Sequence, residues 1–295
     1  MTTERDEAHR ANIRGSAWMV AAMGAFAIED VLIKAASASL PLGELLILFG
    51  FGGAIVFACV AAVRGDRLFS ADAFSRSMQW RFLFEVSGRL FYALAITLSS
   101  LSVATVILQA TPIVVIAGAA LLFGEHVDWR RWFAVFLGMA GVVVIIQPGT
   151  EGFSELSLLA LFGMVGFAGR DLASRAAPVS VSTSALGFFG FLSVIVAGSA
   201  YSLYDGEAFL LPEPSAVAIL LGAMLVGASA YACLMKAMRT GSVSAVTTFR
   251  YSRLLFGVAL GVLLFDEALS LSVMVGCAMI ACAGLITVRT GNQQD

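Results

Sequence analysis

The sequence predicts an all-α integral membrane protein of ten transmembrane helices, arranged as two inverted five-helix repeats. An apolar composition, a run of helix-length apolar segments and a self-similarity between the halves carry that expectation. Of the 295 residues, 59% are hydrophobic and 13% charged, with a strongly positive mean hydropathy. A water-soluble domain charges roughly a quarter of its positions. Most of this surface is therefore built to face lipid.

Crossing the hydrocarbon takes about 20 mostly apolar residues, and backbone groups unpaired there cost several kcal/mol each. That length places segments at 14–36, 42–63, 78–97, 102–123, 131–147, 155–176, 182–204, 214–237, 243–265 and 271–289. Breakers such as Pro41, Gly65, Gly124, Pro148, Pro178, Pro212 and Gly241 fall between them. The expected division is a tail 1–13, a first repeat 14–150, a second repeat 151–289 and a tail 290–295. No small-residue cleavage site follows the polar start from Met1 to Arg14, so the first segment reads as a retained helix.

Positive charge is retained on the cytoplasmic side of a membrane protein. Arg5, Arg10 and Arg14 lie in the N-terminus, Arg64, Arg67 and Arg76 in the second connector, Arg130 and Arg131 in the fourth, Lys236 and Arg239 at the eighth. Arg175 lies beside the sixth. The odd connectors hold no Lys or Arg, and the seventh is acidic with Asp205, Glu207 and Glu213. Both termini are expected in the cytoplasm, with Trp18, Trp80, Trp129 and Trp132 as anchors at that interface.

The halves repeat each other. Laying 102–125 on 244–267 matches the opening Ser, Thr105 with Thr247, and the closing Leu-Leu-Phe-x-Glu at Glu125 and Glu267. Phe26-x-x-x-Asp30-x-x-x-Lys34 falls on Phe167-x-x-x-Asp171-x-x-x-Arg175, and Gly88-x-x-x-Tyr92 on Gly227-x-x-x-Tyr231. An odd number of helices per unit turns the second copy upside down, the arrangement of many secondary transporters.

With Phe91-Tyr92-Ala93-Leu94 and the Gly-Glu and Asp-Glu endings, the chain resembles the drug/metabolite transporter superfamily, in its ten-helix class with paired EamA-type domains. Within it, the overall pattern is similar to bacterial aromatic amino acid exporters of the YddG type. The resemblance implies a multi-pass protein of the bacterial inner membrane, a central cavity lined by segments 1, 3, 4, 6, 8 and 9, and a small-molecule, amino-acid-like cargo. It leaves cargo identity open, because the superfamily carries amino acids, riboflavin, nucleotide sugars and quaternary amines.

Charges inside spans are candidate site residues by default. Glu85, Arg89 and Tyr92 share one face of the third segment. Arg89 suits a cargo carboxylate, with Tyr92 as aromatic neighbour; alternatively, Glu85 and Arg89 neutralise each other. Asp30 with Lys34, and Asp171 with Arg175, form mirrored i, i+4 pairs expected to steady helices or latch gates more than to bind cargo. Glu29 and Arg170 have no partner close in sequence. Gln109, Tyr231, Phe249, Arg250 and Tyr251 complete the expected binding set. Arg250 and Arg253 either face the cavity or snorkel to the interface, and Arg253→Ala is expected to matter less than changes at Arg89 or Tyr92. Proton coupling is read onto Glu85, the acid nearest the middle of a cavity helix, with downhill flow as the alternative.

Enzymatic readings lack support: phosphate-loop, His-Glu-x-x-His and nucleophile-elbow motifs are absent from the sequence. The net charge of −2 suggests no nucleic-acid partner, and Cys59, Cys233, Cys277 and Cys282 all lie in apolar runs. No cofactor or metal is expected, and membrane lipids are the surroundings. Channel, intramembrane enzyme and scaffold stand as rival classes; among carriers, an anion antiporter for phosphorylated or nucleotide-linked metabolites is the alternative to amino acid export.

Overall fold

In hydrocarbon a spanning chain must pair its own N–H and C=O groups, and a helix does so within one segment. The computed structural model describes residues 2–123, 129–147, 154–176, 178, 180–240 and 248–291, and among them all regular structure is helical. In chain order the helices are α1 (Thr2–Ala36), α2 (Leu42–Arg64), α3 (Arg76–Leu98), α4 (Leu101–Leu108), α5 (Thr111–Phe123) and α6 (Trp129–Ile146). They continue with α7 (Leu156–Arg175), α8 (Thr183–Asp205), α9 (Pro214–Thr240), α10 (Ser252–Phe265) and α11 (Leu271–Gly291). Short 3-10 turns cover Ala71–Phe74 and Thr248–Tyr251.

Two features differ from the expected segments. Helix α1 begins at Thr2, so the helix continues through the segment expected as a tail. The fourth expected segment is split at Gln109 and Ala110 into α4 and α5, just ahead of Pro112. Proline lacks an N–H and crowds the carbonyl four residues earlier, which here is Leu108, the last residue of α4. The Thr111 hydroxyl donates to that carbonyl at 2.5 Å.

The helix ends follow local chemistry. Helices α2 and α8 both stop on a left-handed glycine, Gly65 and Gly206, each with φ 70°, a conformation that costs residues with a Cβ. The hydroxyls of Ser100 and Ser182 cap α4 and α8 by accepting from the N–H groups of Val103 and Ala185.

Packing is reciprocal between the halves: α1 lies on α9 and α3 on α7, while α2 lies on α8, α4 on α10 and α6 on α11. Lipid tails are as apolar as leucine, so close contact depends on small residues. A Cβ on Gly166 of α7 would collide with the backbone of Gly88 of α3. Gly141 of α6 and Gly276 of α11 approach as closely, each against the other's carbonyl. The ring of Phe191 on α8 packs between Phe49 and Phe57 of α2, at 5.4 and 5.8 Å. Outward, Leu121, Leu255 and Leu263 are left exposed, as suits a lipid face.

Among the described residues six helices are long and apolar enough to cross a membrane: Ile13–Ala36, Leu42–Arg64, Leu101–Leu122, Leu156–Ser174, Thr183–Asp205 and Pro214–Leu234. Helix α3 is long enough but carries Arg76, Arg81, Glu85 and Arg89. Three of these charges sit in ion pairs with other side chains, which is why a helix this polar packs inside the bundle.

Candidate functional site

The backbone is irregular at matching places in the two halves. The break after α4 at Gln109 faces the 3-10 turn before α10, and the Gln109 side-chain amide donates to the Arg250 carbonyl at 3.0 Å. Gln109 lies eight residues from the start of α4, roughly 12 Å along the helix, inside the apolar stretch Leu101–Leu122. Irregular backbone inside a spanning segment is where secondary transporters build substrate sites.

Charged side chains gather around this level in two groups. In the first, Arg253 Nη2 contacts Asp30 Oδ2 at 2.6 Å, the Tyr92 hydroxyl donates to the same oxygen at 3.0 Å, and Thr105 Oγ1 lies 3.4 Å from Tyr92. Beside them Arg89 Nη1 reaches Glu29 Oε1 at 3.3 Å. Glu29 Oε2 and the Nε atoms of Arg89 and Arg253 are buried without a hydrogen-bond partner. In the second group, Glu85 lies between Arg81 at 3.1 Å and Arg170 at 3.7 Å. Arg170 also holds Asp171 through Nε and Nη2 at 2.9 and 2.8 Å, and Arg250 meets the other Asp171 oxygen at 3.4 Å.

Phe167 joins the two groups. Its ring stands under Arg170 at 4.8 Å and Arg89 at 5.9 Å, and meets Tyr92 edge-on at 6.0 Å. Arg253 lies over Phe26 and Tyr92 at 5.3 and 5.5 Å. The arrangement is graded by access: the side chains of Glu85, Glu29, Arg81 and Asp30 are at most 7% exposed, whereas Arg253, Arg89, Arg170, Asp171 and Arg250 run from 15 to 24%. Asp171 and Arg81 apart, the carboxylates are more deeply buried than the guanidinium groups they meet.

A third cluster closes one end of the bundle. Asp266 ends α10 in the left-handed region, φ 50°, which short acidic side chains tolerate better than most. This turn delivers the Glu267 carboxylate to the N-terminus of α4, where it accepts from the N–H groups of Leu101 and Ser102 at 2.6 and 2.8 Å and from the Ser100 hydroxyl at 2.8 Å. Lys34, at the end of α1, donates to the Ser99 carbonyl at 2.6 Å and lies 3.5 Å from Glu267.

The i, i+4 partners read from the sequence are replaced by partners from other helices. Arg89 pairs with Glu29, not Glu85, and Glu85 takes Arg81, the cation one turn earlier, together with Arg170 of α7. Asp30 pairs with Arg253, and Lys34 with Glu267. Asp171 takes Arg170 and Arg250; the Arg175 side chain lies outside the described residues, as do Glu125 and Thr247. Neither Arg250 nor Arg253 snorkels, because a carboxylate is within reach of each inside the bundle. Tyr231 is buried edge-on against Phe57. Phe249 is 42% exposed, and the Tyr251 ring packs on Gly284 of α11, so neither forms the wall expected opposite Arg89. Arg81, Phe167, Thr105 and Glu267 were absent from the expected set. Phe167 and Glu267 stood in the repeated motifs, and Arg81 in an i, i+4 relation to Glu85.

A model of the EamA-like transporter family matches residues 13–147 and again 156–289. The chain belongs to that family and is a multi-pass membrane transporter of small molecules, not an enzyme. An S-adenosylmethionine uptake transporter of Rickettsia prowazekii (strain Madrid E) is 22% identical over 284 residues, covering 96% of this chain and 95% of its own. A riboflavin transporter of Rhizobium johnstonii is 26% identical over 197 residues, 65% of this chain and 63% of the relative. A pseudopaline exporter of Pseudomonas aeruginosa is 23% identical over 270 residues, covering 90% and 92%. A solved crystal structure aligns with a TM-score of 0.63 at 18% identity over 96% of this chain and 99% of its own, a likeness of fold.

Proposed function

We propose that the chain is a secondary carrier of ten spans in two inverted repeats, exporting amino acids, aromatic and other neutral ones, across a bacterial inner membrane by alternating access. The observation that supports it best is the contact of the helix break at Gln109 with the 3-10 turn Thr248–Tyr251, among partly accessible guanidinium groups. Reciprocal packing of the halves is what a two-fold-related pair of repeats produces, and the relatives named as carriers of riboflavin and pseudopaline make an organic metabolite the natural cargo. The connector charges favour both termini in the cytoplasm.

Arg89 is the candidate grip for the cargo carboxylate: its single charged contact is long, and its Nε has no partner. Tyr92 is held by Asp30 and orients the wall beside it. Proton coupling through Glu85 requires release of its contacts to Arg81 and Arg170, which ties protonation to a shift of α3 against α7. Saturable counterflow of phenylalanine in proteoliposomes tests the carrier, and Glu85→Gln tests the coupling. Counterflow insensitive to unlabelled substrate points to a channel and refutes the proposal.

One observation favours the second reading, an anion antiporter for phosphorylated or nucleotide-linked metabolites. Arg89 and Arg170 share the Phe167 ring, and Arg170 shares Asp171 with Arg250, so these guanidinium groups converge. Competition between amino acids and phosphorylated compounds decides between the two.

A further inference from the structure

The two groups of charges around the Thr248–Tyr251 turn do not balance equally. The first holds two carboxylates, Glu29 and Asp30, against two guanidinium groups, Arg89 and Arg253. The second holds two carboxylates, Glu85 and Asp171, against three, Arg81, Arg170 and Arg250. Among the described residues the core therefore carries one surplus positive charge.

Its place follows from the distances. Arg81 and Arg170 both reach Glu85, and Arg170 grips Asp171 through two nitrogens, which accounts for both acids. Arg250 is left with a single 3.4 Å contact to an acid already committed elsewhere, and at 24% it has the most accessible side chain of the set. It sits on the 3-10 turn that Gln109 holds, within the helix bundle, where an uncompensated charge is costly.

We infer that the cargo supplies the missing charge: it binds as a net monoanion, with a carboxylate or phosphate-type oxyanion on Arg250. This rests on the carrier reading and favours, over its neutral amino acids, species of one net negative charge. Arg250 then selects for charge, and the surplus positive charge around it repels a cationic cargo. A core neutral when loaded and charged when empty also makes uniport electrogenic, so cargo flux follows the membrane potential.

The test uses the protein reconstituted in liposomes and small probes that differ in charge: glutamate, glutamine and lysine, with dimethyl phosphate, a phosphate diester and so a monoanion, to separate phosphate from carboxylate recognition. Counterflow of glutamate or the phosphate diester several-fold faster than of glutamine or lysine, with net uptake but not exchange accelerated by an imposed potential, is the expected result. Arg250→Gln should weaken the anion about thirtyfold or more and bring glutamine forward, because the core is then neutral; Arg250→Lys should keep much of the preference. Asp171→Asn leaves a surplus of two and should shift preference toward dianions. Faster counterflow of glutamine or lysine in the parent, or an anion preference unchanged in folded Arg250→Gln, overturns the inference while leaving the carrier intact. Counterflow of none of the probes, and of no phenylalanine, overturns both.

Discussion

Replacing Glu267 by Gln should loosen the start of α4 without unfolding the bundle. The carboxylate accepts three hydrogen bonds, two from N–H groups that α4 cannot pair internally, and its side chain is only 11% exposed. Hydrogen bonds to a charged group contribute about 1.5–3 kcal/mol each. Glutamine keeps one acceptor, so one such bond, about 2 kcal/mol, is a reasonable net loss; Lys34 at 3.5 Å adds at most about 1 kcal/mol. A loss of 2 kcal/mol is close to a thirtyfold change in the opening equilibrium. Hydrogen–deuterium exchange at Leu101 and Ser102 should accelerate by about that factor.

Acid should mimic the substitution. Burial raises the Glu267 carboxyl, but hydrogen bonds from Ser102, Ser100 and Leu101 outweigh it and hold the group below the ordinary glutamate value of 4.5. A lowered value in the closed state means that the stabilisation is complete above 4.5 and is lost as pH falls through the lowered value. Exchange corrected for intrinsic pH dependence should thus show loss of protection only in that acid range, with a flat profile for Glu267→Gln. Unchanged exchange at Leu101 and Ser102 in the variant would refute the capping role.

Four further outcomes follow from the packing. Arg253→Ala should lower thermal stability by about 3–5 kcal/mol because Asp30 is left buried and unpaired; Asp30→Asn combined with Arg253→Gln should recover much of it, and no recovery in a melting experiment would refute the pair. Arg89→Ala should cost transport far more than Tyr92→Phe, measured as initial counterflow rates; the reverse order would move the carboxylate grip elsewhere. Gly166→Val should separate α3 from α7, since even a Cβ there meets the Gly88 backbone; retention of yield and melting temperature would contradict the close approach. Cysteines at 40 and 207 should label from outside intact cells and those at 70 and 239 should not, and labelling of 70 and 207 from one side would exclude the inverted repeat.

Much was legible without coordinates, for a physical reason. The bilayer imposes one length and one kind of secondary structure, so apolar runs, breakers and flanking arginines specify spans directly. The internal repeat also named the positions that matter: Phe26, Asp30, Phe167, Asp171 and Glu267 all lie in matched motifs and all enter the polar clusters. What periodicity could not choose was the partner of each charge. An i, i+4 acid and base on one helix, such as Asp30 and Lys34, compete with groups that exist only when other helices arrive, and those won because a desolvated charge takes its best-oriented counterion wherever the fold supplies it. The sequence by itself determined a helical membrane protein and which residues are too polar to face lipid. Only the tertiary structure decided that Asp30 meets Arg253, that Glu267 caps α4 and that Arg250 is left with the weakest compensation, because each depends on contacts between helices far apart in the chain.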